Sequence, residues 1–260
     1  MNKDIKEFGL FLNSFIYKNG IAKGMSEKRY VKLDKFLHNY ITECNVSVKK
    51  ILDIGVCSGI TTMELSSFFE DKTEIVGTDL TFYVYKFKLY PFEFYFDKNK
   101  RLMKLVFFKI AFHNHLGLKN SLIKVPVFLL NIAEILLKFF YRTPQNGEKI
   151  SLIYPGAFKD NISYLEDDIT ITNTSFVDKF SLIRIADVFT DKFRFTDQIR
   201  KIILSYMKDE SYLFIIDKIE GGILFKKSNQ KLVHIDCFGT INSSNGTVYS
   251  DLKKDSIINE

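Results

Sequence analysis

The most constraining feature of the sequence is a strand, helix, strand series within residues 49–79. Residues 49–54 (KKILDI) have the pattern of a strand, residues 60–70 that of a helix, and residues 74–79 (EIVGTD) that of a second short strand. Two strands joined through a helix run parallel in one sheet, with a right-handed crossover. The sequence therefore predicts an α/β fold with a parallel sheet at its centre.

The same alternation resumes after residue 149. We predict strands in the segments KISLIYPG, NISYLEDDI, FSLIRIADVF and SYLFIID, and a helix in FTDQIRKIILSYMK that starts near Thr196 or Asp197. A further helix is predicted over residues 25–43, with Ser26 as its N-cap. These elements extend the parallel sheet and supply helices to flank it.

The C-terminal tail has a different pattern. Residues 221–239 alternate around Ser228-Asn229, as the two strands of a hairpin do. Only the five residues KIEGG separate this hairpin from the preceding strand. Because this connection is too short for a crossover helix, the last strands should be antiparallel at one edge of the sheet.

Residues 82–149 interrupt the alternation. The segment FEFYFDKNKRLMKLVFF indicates a β-hairpin, and residues 125–141 indicate an amphipathic helix. A segment of this size and hydrophobicity is not a linker. We therefore expect one domain formed by residues 1–81 and 150–260, and an inserted hydrophobic cap formed by residues 82–149.

Charge and cysteine content limit the environment of the protein. The net charge of +6 permits contact with anionic lipid or nucleic acid without requiring it. Three cysteines without a Cys-x-x-Cys pair indicate neither a disulfide framework nor a zinc site, and they fit a reducing cytoplasm. The N-terminus is a poor signal peptide, and the run at 125–141 is short for a membrane span.

The insertion also carries basic residues among its aromatic ones, which could favour peripheral contact with anionic head groups. They are Lys86, Lys88, Lys98, Lys100, Arg101, Lys104 and Lys109. A solvated rim around a buried aromatic hairpin is the simpler interpretation, and an RNA-binding subdomain has a similar composition. His113 and His115 are interpreted as an incidental pair, since no third metal ligand is visible.

The turn DIGVCSG at 53–59 predicts a ligand site. Gly55 and Gly59 let the backbone pass close to a ligand, at a helix start with free N–H groups. A dinucleotide fingerprint requires glycine where Cys57 stands, and Asp53 would repel its phosphates. Asp53 instead suits a cationic ammonium group, and Asp79 at the second strand end suits two ribose hydroxyls. The predicted ligand carries a ribose and an ammonium but no phosphate.

These segments resemble the Rossmann-like, class I S-adenosylmethionine-dependent methyltransferases. The resemblance depends on DIGVCSG at 53–59, GTDL at 77–80, LEDDI at 165–169 and FSLIRIADVF at 180–189, in that order. It covers residues 25–81 and 150–240. Cys57 at the usual middle glycine, the large insertion and the missing helix after the fifth strand mark a divergent member of that family.

The resemblance implies a role for individual residues. The cofactor would be S-adenosylmethionine, with its methionine part near Asp53, Gly55 and Gly59. Asp79 would hold the ribose, with Leu80 next to it in the chain. Asp168 and the Ile169 backbone would contact the adenine. Arg184 and Asp187, near the end of the fourth strand, would face the acceptor.

The sequence does not identify the methyl acceptor. After the fourth strand the chain reads ADVFTD rather than the Asn/Asp-Pro-Pro-aromatic motif of enzymes that methylate base amino groups. We therefore expect a small or lipophilic acceptor, with other kinds of RNA methylation as an alternative. A non-catalytic binding module on the same fold and an NAD-dependent oxidoreductase are the remaining alternatives, and the turn could also be purely structural.

Overall fold

A computed structural model describes residues 3–13, 15, 27–107, 110–112, 135, 147–189, 193–216 and 221–239. It divides the chain into two compact units. The first contains residues 1–27 and 81–155, and the second contains residues 28–80 and 156–260. No helix among the described residues is long and apolar enough to cross a membrane.

The second unit contains a seven-stranded sheet. Its strands are β1 (Lys50–Ile54), β2 (Glu74–Asp79), β8 (Ile162–Glu166), β9 (Phe180–Ala186), β10 (Met207–Ile216), β11 (Gly221–Ser228) and β12 (Lys231–Gly239). The strand order across the sheet is β12-β11-β10-β9-β1-β2-β8. The five strands from β10 to β8 are parallel, and β11 and β12 add antiparallel pairs at one edge. This mostly parallel, Rossmann-like sheet with a C-terminal hairpin confirms the predicted fold class.

Helices pack on both faces of this sheet. They are α2 (Val31–Glu43), α3 (Ile60–Ser66) and α4 (Asp197–Tyr206). On one face α2 and α3 bury Leu37 and Leu65 with the strand residues Ile51 and Leu182. On the other face α4 buries Ile203, together with other apolar residues of the core. The alternate residues of the central strands therefore enter two separate cores, which is why these strands carry apolar residues on both faces.

Helix boundaries differ from the expectation at two places. The first helix of this unit begins at Val31 rather than near residue 25, and its predicted cap Ser26 lies outside the described residues. Tyr30 occupies the N-cap without a capping side-chain bond. The predicted start of α4 near Thr196 or Asp197 is confirmed, because the helix begins at Asp197 and the N-cap Thr196 accepts a hydrogen bond from the Ile199 N–H.

The first unit contains one helix and a five-stranded antiparallel sheet. Its elements are α1 (Lys3–Asn13), β3 (Tyr83–Leu89), β4 (Phe92–Phe96), β5 (Leu102–Phe107), β6 (Ile110–Phe112) and β7 (Glu148–Ser151). The pairing of β4 with β5 confirms the predicted hairpin. The helix predicted over residues 125–141 falls on residues of which the structure describes only Ile135.

Two parts of the first unit lie where the sequence analysis did not place them. The segment KISLIYPG was expected to resume the parallel sheet, but β7 pairs antiparallel with β3 instead. Residues 1–27 were expected in the domain of the parallel sheet. In the structure, Leu12 and Phe15 are buried in one core with Val84 of β3, so α1 belongs to the first unit.

Some of the basic residues of the insertion have contacts within the first unit. The Lys86 Nζ lies 3.1 Å from the Glu93 carboxylate. Lys104 lies 5.2 Å above the rings of both Phe15 and Tyr95, where burial lowers the pKa of its amine. Contact with an anionic membrane through residues 82–149 stays a prediction.

Candidate functional site

Several of the predicted site residues lie at the carboxyl ends of the parallel strands in the second unit. The order of the parallel strands reverses between β1 and β9, since β1 continues to β2 and β8 on one side and β9 to β10 on the other. Sheets of this kind bind ligands in the crevice beyond the carboxyl ends of their strands at such a switch point. Asp79 is the last residue of β2, and Gly55, Asp168 and Asp187 follow the carboxyl ends of β1, β8 and β9.

The turn after β1 needs glycine at two positions. Gly55 and Gly59 have φ angles of +84° and +79°, in the left-handed region that favours glycine. A Cβ atom on Gly55 would lie 2.3 Å from the Cγ2 atom of Val188. Cys57 also has a positive φ, of 54°, so the residue at the usual middle glycine keeps a glycine-like backbone.

The second glycine packs against a tyrosine of β8. A Cβ atom on Gly59 would lie 2.5 Å from the Tyr164 hydroxyl oxygen. That hydroxyl hydrogen bonds to the carbonyl oxygens of Gly59 and Ala157, at 3.3 and 3.0 Å. Burial raises the pKa of Tyr164, with a further contribution from the charge of Asp53. The ring therefore holds the start of α3 in place as a neutral phenol.

We expect Gly59→Ala to lower the free energy of unfolding by about 2 to 4 kcal/mol, because it combines a strained φ with a steric clash. In a Tyr164→Ala background the clash is absent, and the same change should cost about 1 to 2 kcal/mol from the left-handed backbone alone. Urea unfolding of the four proteins of this double-mutant cycle measures the difference. Equal costs in both backgrounds would contradict the packing described.

Asp79 lies directly across from the glycine turn. Its Oδ2 atom accepts a hydrogen bond from the Cys57 N–H, at 2.9 Å. Its backbone carbonyl accepts one from the Asp167 N–H, at 3.0 Å, which joins the ends of β2 and β8. The next side chain, Leu80, is 51% exposed. A partly buried carboxylate and an exposed apolar side chain thus lie side by side at the crevice.

The residues after β8 form a tight turn. The Asp168 Oδ1 atom accepts hydrogen bonds from the Thr170 N–H and hydroxyl, at 3.0 and 2.7 Å. Ile169 is buried in the core. Among the described residues nothing donates to the Asp168 Oδ2 atom, so this turn fixes the carboxylate and leaves one oxygen for other contacts. The adenine contacts of Asp168 and Ile169 stay predictions.

A buried ionic triad lies beneath the turn. Arg184 is 0% exposed and stands opposite Asp53 in the pairing of β9 with β1. Its Nε and one terminal nitrogen donate to the two Asp53 oxygens at 2.8 Å, and its other terminal nitrogen donates to both oxygens of Asp34 at 2.8 Å. The Thr62 hydroxyl of α3 also donates to Asp53, at 2.7 Å. The triad therefore ties α2, β9 and α3 to the strand that leads into the turn.

This arrangement bears on two predicted roles. The Asp53 oxygens already accept three hydrogen bonds from Arg184 and Thr62, and Asp53 is 1% exposed. Binding of an ammonium group by Asp53, or contact of Arg184 with an acceptor, would require the triad to open. Both roles stay predictions.

The sequence analysis missed Asp34, although a signal for it exists. Asp34 is spaced three and seven residues from Leu37 and Ile41, so it lies on the apolar face of α2. A charged residue on a buried helix face needs a partner of opposite charge. Its partner is 150 residues away in the chain, which no local pattern identifies.

Burial shifts the ionisation of the triad. It raises the pKa of Asp34 to about 6, against the opposing effect of Arg184, and the charges of Asp53 and Glu64 raise it further. For Arg184, burial alone would lower the pKa, but the two carboxylates outweigh burial and raise it. Arg184 is therefore charged at neutral pH, whereas the pKa of Asp34, at about 6, lies just below neutral pH.

The raised pKa of Asp34 predicts a specific pH dependence. Between its ordinary value of 3.8 and about 6, the folded protein binds more protons at this site than the unfolded chain. The free energy of unfolding should therefore fall by about 3 kcal/mol through Asp34 as the pH rises across this window. Urea unfolding from pH 3.5 to 7 should show that Asp34→Asn removes this component, whereas the exposed control Asp71→Asn keeps it. An unchanged pH slope in Asp34→Asn would contradict the shift.

A second ionic cluster lies at the end of β9. The Asp187 Oδ2 atom accepts hydrogen bonds from the Arg29 guanidinium and, at 2.8 Å, from the Tyr30 hydroxyl. Burial and the neighbouring Asp187 carboxylate raise the pKa of Tyr30. Asp187 has a φ of 51°, a left-handed conformation that is uncommon outside glycine and is concentrated at functional sites.

The structure thus brings several of the predicted residues together and places two in the core. Gly55, Gly59, Asp79 and Asp187 lie around the switch point, while Asp53 and Arg184 lie beneath it. His113 and His115 lie outside the described residues. Within the part of the chain that the structure describes, no three His, Cys, Asp or Glu side chains are grouped so that they could hold a metal ion.

Comparison with known proteins gives no match to a protein-family model and none to a curated protein. Several solved structures are similar. The CurJ carbon methyltransferase has 13% identity over 71% of this chain and 33% of its own, with a TM-score of 0.34. The methyltransferase domain of bacterial CtHen1-C has 10% identity over 72% and 65%, also with a TM-score of 0.34.

A third similar structure is Haemonchus contortus phosphoethanolamine N-methyltransferase 2 in complex with S-adenosyl-L-methionine. Its identity is 13%, over 69% of this chain and 27% of its own, and the TM-score is 0.31. The chain thus covers only 33% of the CurJ carbon methyltransferase and 27% of the phosphoethanolamine N-methyltransferase. At these TM-scores, the assignment of the fold depends on the strand order of the chain itself.

Proposed function

We propose that this protein is an S-adenosylmethionine-dependent methyltransferase, whose cofactor lies at the switch point of the second unit. The observation that carries the proposal is the position of Asp79. Its carboxylate lies at the end of β2 and accepts the N–H of Cys57 from the glycine turn. A carboxylate at this position is suited to the hydroxyls of a ribose.

The same carboxylate disfavours a dinucleotide. A pyrophosphate would need the N–H groups of the glycine turn, but the Cys57 N–H is already bonded to Asp79. Cys57 also places a side chain where a dinucleotide site has glycine for close approach. Like charge at Asp79 adds repulsion, so an adenosyl ligand without phosphates fits these residues better.

The residues present fit such a ligand along its length. Asp79 would accept hydrogen bonds from the two ribose hydroxyls, each stabilising the complex by about 1.5 to 3 kcal/mol. Leu80 would pack against the adenine, and Asp168, through its remaining oxygen, would accept from the adenine amino group beside the Ile169 backbone. Gly55 and Gly59 would let the chain approach the amino-acid part.

Asp53 has a different role in this proposal from the one its sequence position first indicates. Because Arg184 and Thr62 already donate to it, Asp53 would position the glycine turn rather than pair with the ligand ammonium. The bound cofactor would supply an electrophilic methyl group on a sulfonium. The task of the protein would then be to hold donor and acceptor in line, an effect that can supply up to about 7 to 11 kcal/mol.

The acceptor is proposed by class alone. The residues after β9 lack the motif of enzymes that methylate base amino groups, and we propose a small or lipophilic acceptor. Asp187, directly after the end of β9, would face the acceptor.

Transfer of a labelled methyl group tests the proposed activity. The protein would be incubated with S-adenosylmethionine carrying a tritiated methyl group and with fractionated cell extract, and label in small-molecule, lipid and RNA fractions would be counted. We expect incorporation that requires Asp79. Binding of the cofactor without incorporation into any fraction would instead favour the non-catalytic binding module.

A further inference from the structure

Arg29 lies beside the switch point but has no role in the site described so far. Its guanidinium donates to Asp187, whose own N–H donates to the Ile216 carbonyl at the end of β10, at 3.1 Å. The residue after Asp187 is Val188, which packs against Gly55 of the glycine turn. Arg29 is therefore held at the carboxyl ends of the strands that border the crevice.

The chain segment that carries Arg29 is fixed on its other side as well. The Lys28 N–H donates to the Glu64 carboxylate of α3, at 2.7 Å. The Tyr30 hydroxyl donates to Asp187, and the Arg29 guanidinium carbon lies 5.2 Å from the Tyr30 ring centre. Residues 28–30 thus run between α3 and the end of β9, which are the two elements that flank the glycine turn.

The guanidinium has donors that the described residues do not use. Its Nε atom is buried, and no acceptor for it lies among the described residues. The side chain as a whole is 28% exposed. Buried N–H groups in native proteins nearly always have an acceptor, and a charged donor without one is costly. Asp187 uses one terminal nitrogen, so the guanidinium can still bind a second anionic group.

We propose that Arg29 binds the carboxylate of the amino-acid part of the cofactor, an inference that rests on the proposed function. A guanidinium presents planar, paired donors that match a carboxylate. Asp187 and Tyr30 fix its orientation before the ligand arrives, so little side-chain freedom is lost on binding. Arg29 is then a specificity residue, because it distinguishes ligands that carry the amino-acid part from those that carry adenosine alone.

Two ligands isolate this contact. S-adenosylhomocysteine has the amino-acid part, whereas 5′-methylthioadenosine has the same adenosine and thioether without it. Isothermal titration would measure the affinity of both for the unmodified protein, Arg29→Gln, Arg29→Lys and the exposed neighbouring control Lys28→Gln. We expect Arg29→Gln to weaken S-adenosylhomocysteine about 10- to 100-fold, the range for one charge-assisted hydrogen bond, and to leave 5′-methylthioadenosine unchanged.

The controls separate the possible outcomes. Arg29→Lys keeps the charge but not the paired donors, so its loss should be intermediate, and Lys28→Gln should bind both ligands normally. An equal loss for both ligands in Arg29→Gln, or no loss for either, would overturn the inference while the adenosyl site stands. If neither ligand binds the unmodified protein, the proposed function fails and the inference fails with it.

Discussion

Replacing Arg184 by methionine is expected to lower the free energy of unfolding by about 3 to 5 kcal/mol. The side chain is fully buried between Asp34 and Asp53, and methionine fills a similar space without charge. The variant therefore leaves two carboxylates in the core without their cation. Guanidinium chloride unfolding at pH 7, with m-values compared, measures the loss.

Two controls identify the cause of this loss. Arg200→Met removes an arginine from a partly exposed pair with Asp197, so it should cost about 0 to 1 kcal/mol. Adding Asp34→Asn and Asp53→Asn to Arg184→Met removes the unpaired charges, and most of the stability should return. If Arg184→Met costs no more than Arg200→Met, the triad is not the structural tie described here.

The loss in Arg184→Met should also depend on pH. Without the guanidinium, nothing offsets the effect of burial on Asp34, so its folded-state pKa should rise further above the unfolded value. The protonated carboxyl is then favoured in the folded state, so the destabilisation should shrink as the pH is lowered below neutrality. A loss that is constant between pH 4 and 7 would indicate lost packing rather than unpaired charge.

Asp79→Ala is expected to have the largest effect on ligand affinity. Two charge-assisted hydrogen bonds to a ribose would be lost, together worth about 3 to 6 kcal/mol, so S-adenosylhomocysteine should bind about a hundred-fold to ten-thousand-fold more weakly. The side chain also accepts the Cys57 N–H, and circular dichroism and urea unfolding would check that the turn remains folded.

Matched variants complete this experiment. Asp79→Asn keeps an acceptor for the Cys57 N–H and for the ribose without the charge, so its loss should be smaller. Glu74→Ala removes an exposed carboxylate at the opposite end of the same strand and should leave the affinity unchanged. Equal affinities in Asp79→Ala and Glu74→Ala would remove Asp79 from the site.

The sequence predicts the central sheet well because its strands are buried on both faces. Runs such as EIVGTD and SYLFIID are rich in β-branched and aromatic residues, and β2 and β10 form at these positions. The turn after β1 could also be predicted, because glycine is the residue that most readily adopts the positive φ angles found at Gly55 and Gly59. The KISLIYPG strand is also real. Its assignment to the parallel sheet is wrong, because an apolar alternation does not specify which sheet it joins.

Side-chain partners could not be predicted in the same way. Arg184 lies in the middle of an apolar strand, and a charge at such a position requires a buried partner, so the existence of the triad had a sequence signal. Its second member, Asp34, comes from a helix far away in the chain. The same distance hides the contact of Arg29 with Asp187, since that contact forms only when α2 packs beside β9.

The most direct test of the central claim is the choice of ligand by the unmodified protein. Isothermal titration would compare S-adenosylhomocysteine with NAD on the same folded sample. We predict micromolar binding of S-adenosylhomocysteine and none of NAD. Binding of NAD in preference to S-adenosylhomocysteine would contradict the assignment of the switch-point site, and binding of neither would make the glycine turn a purely structural connection between β1 and α3.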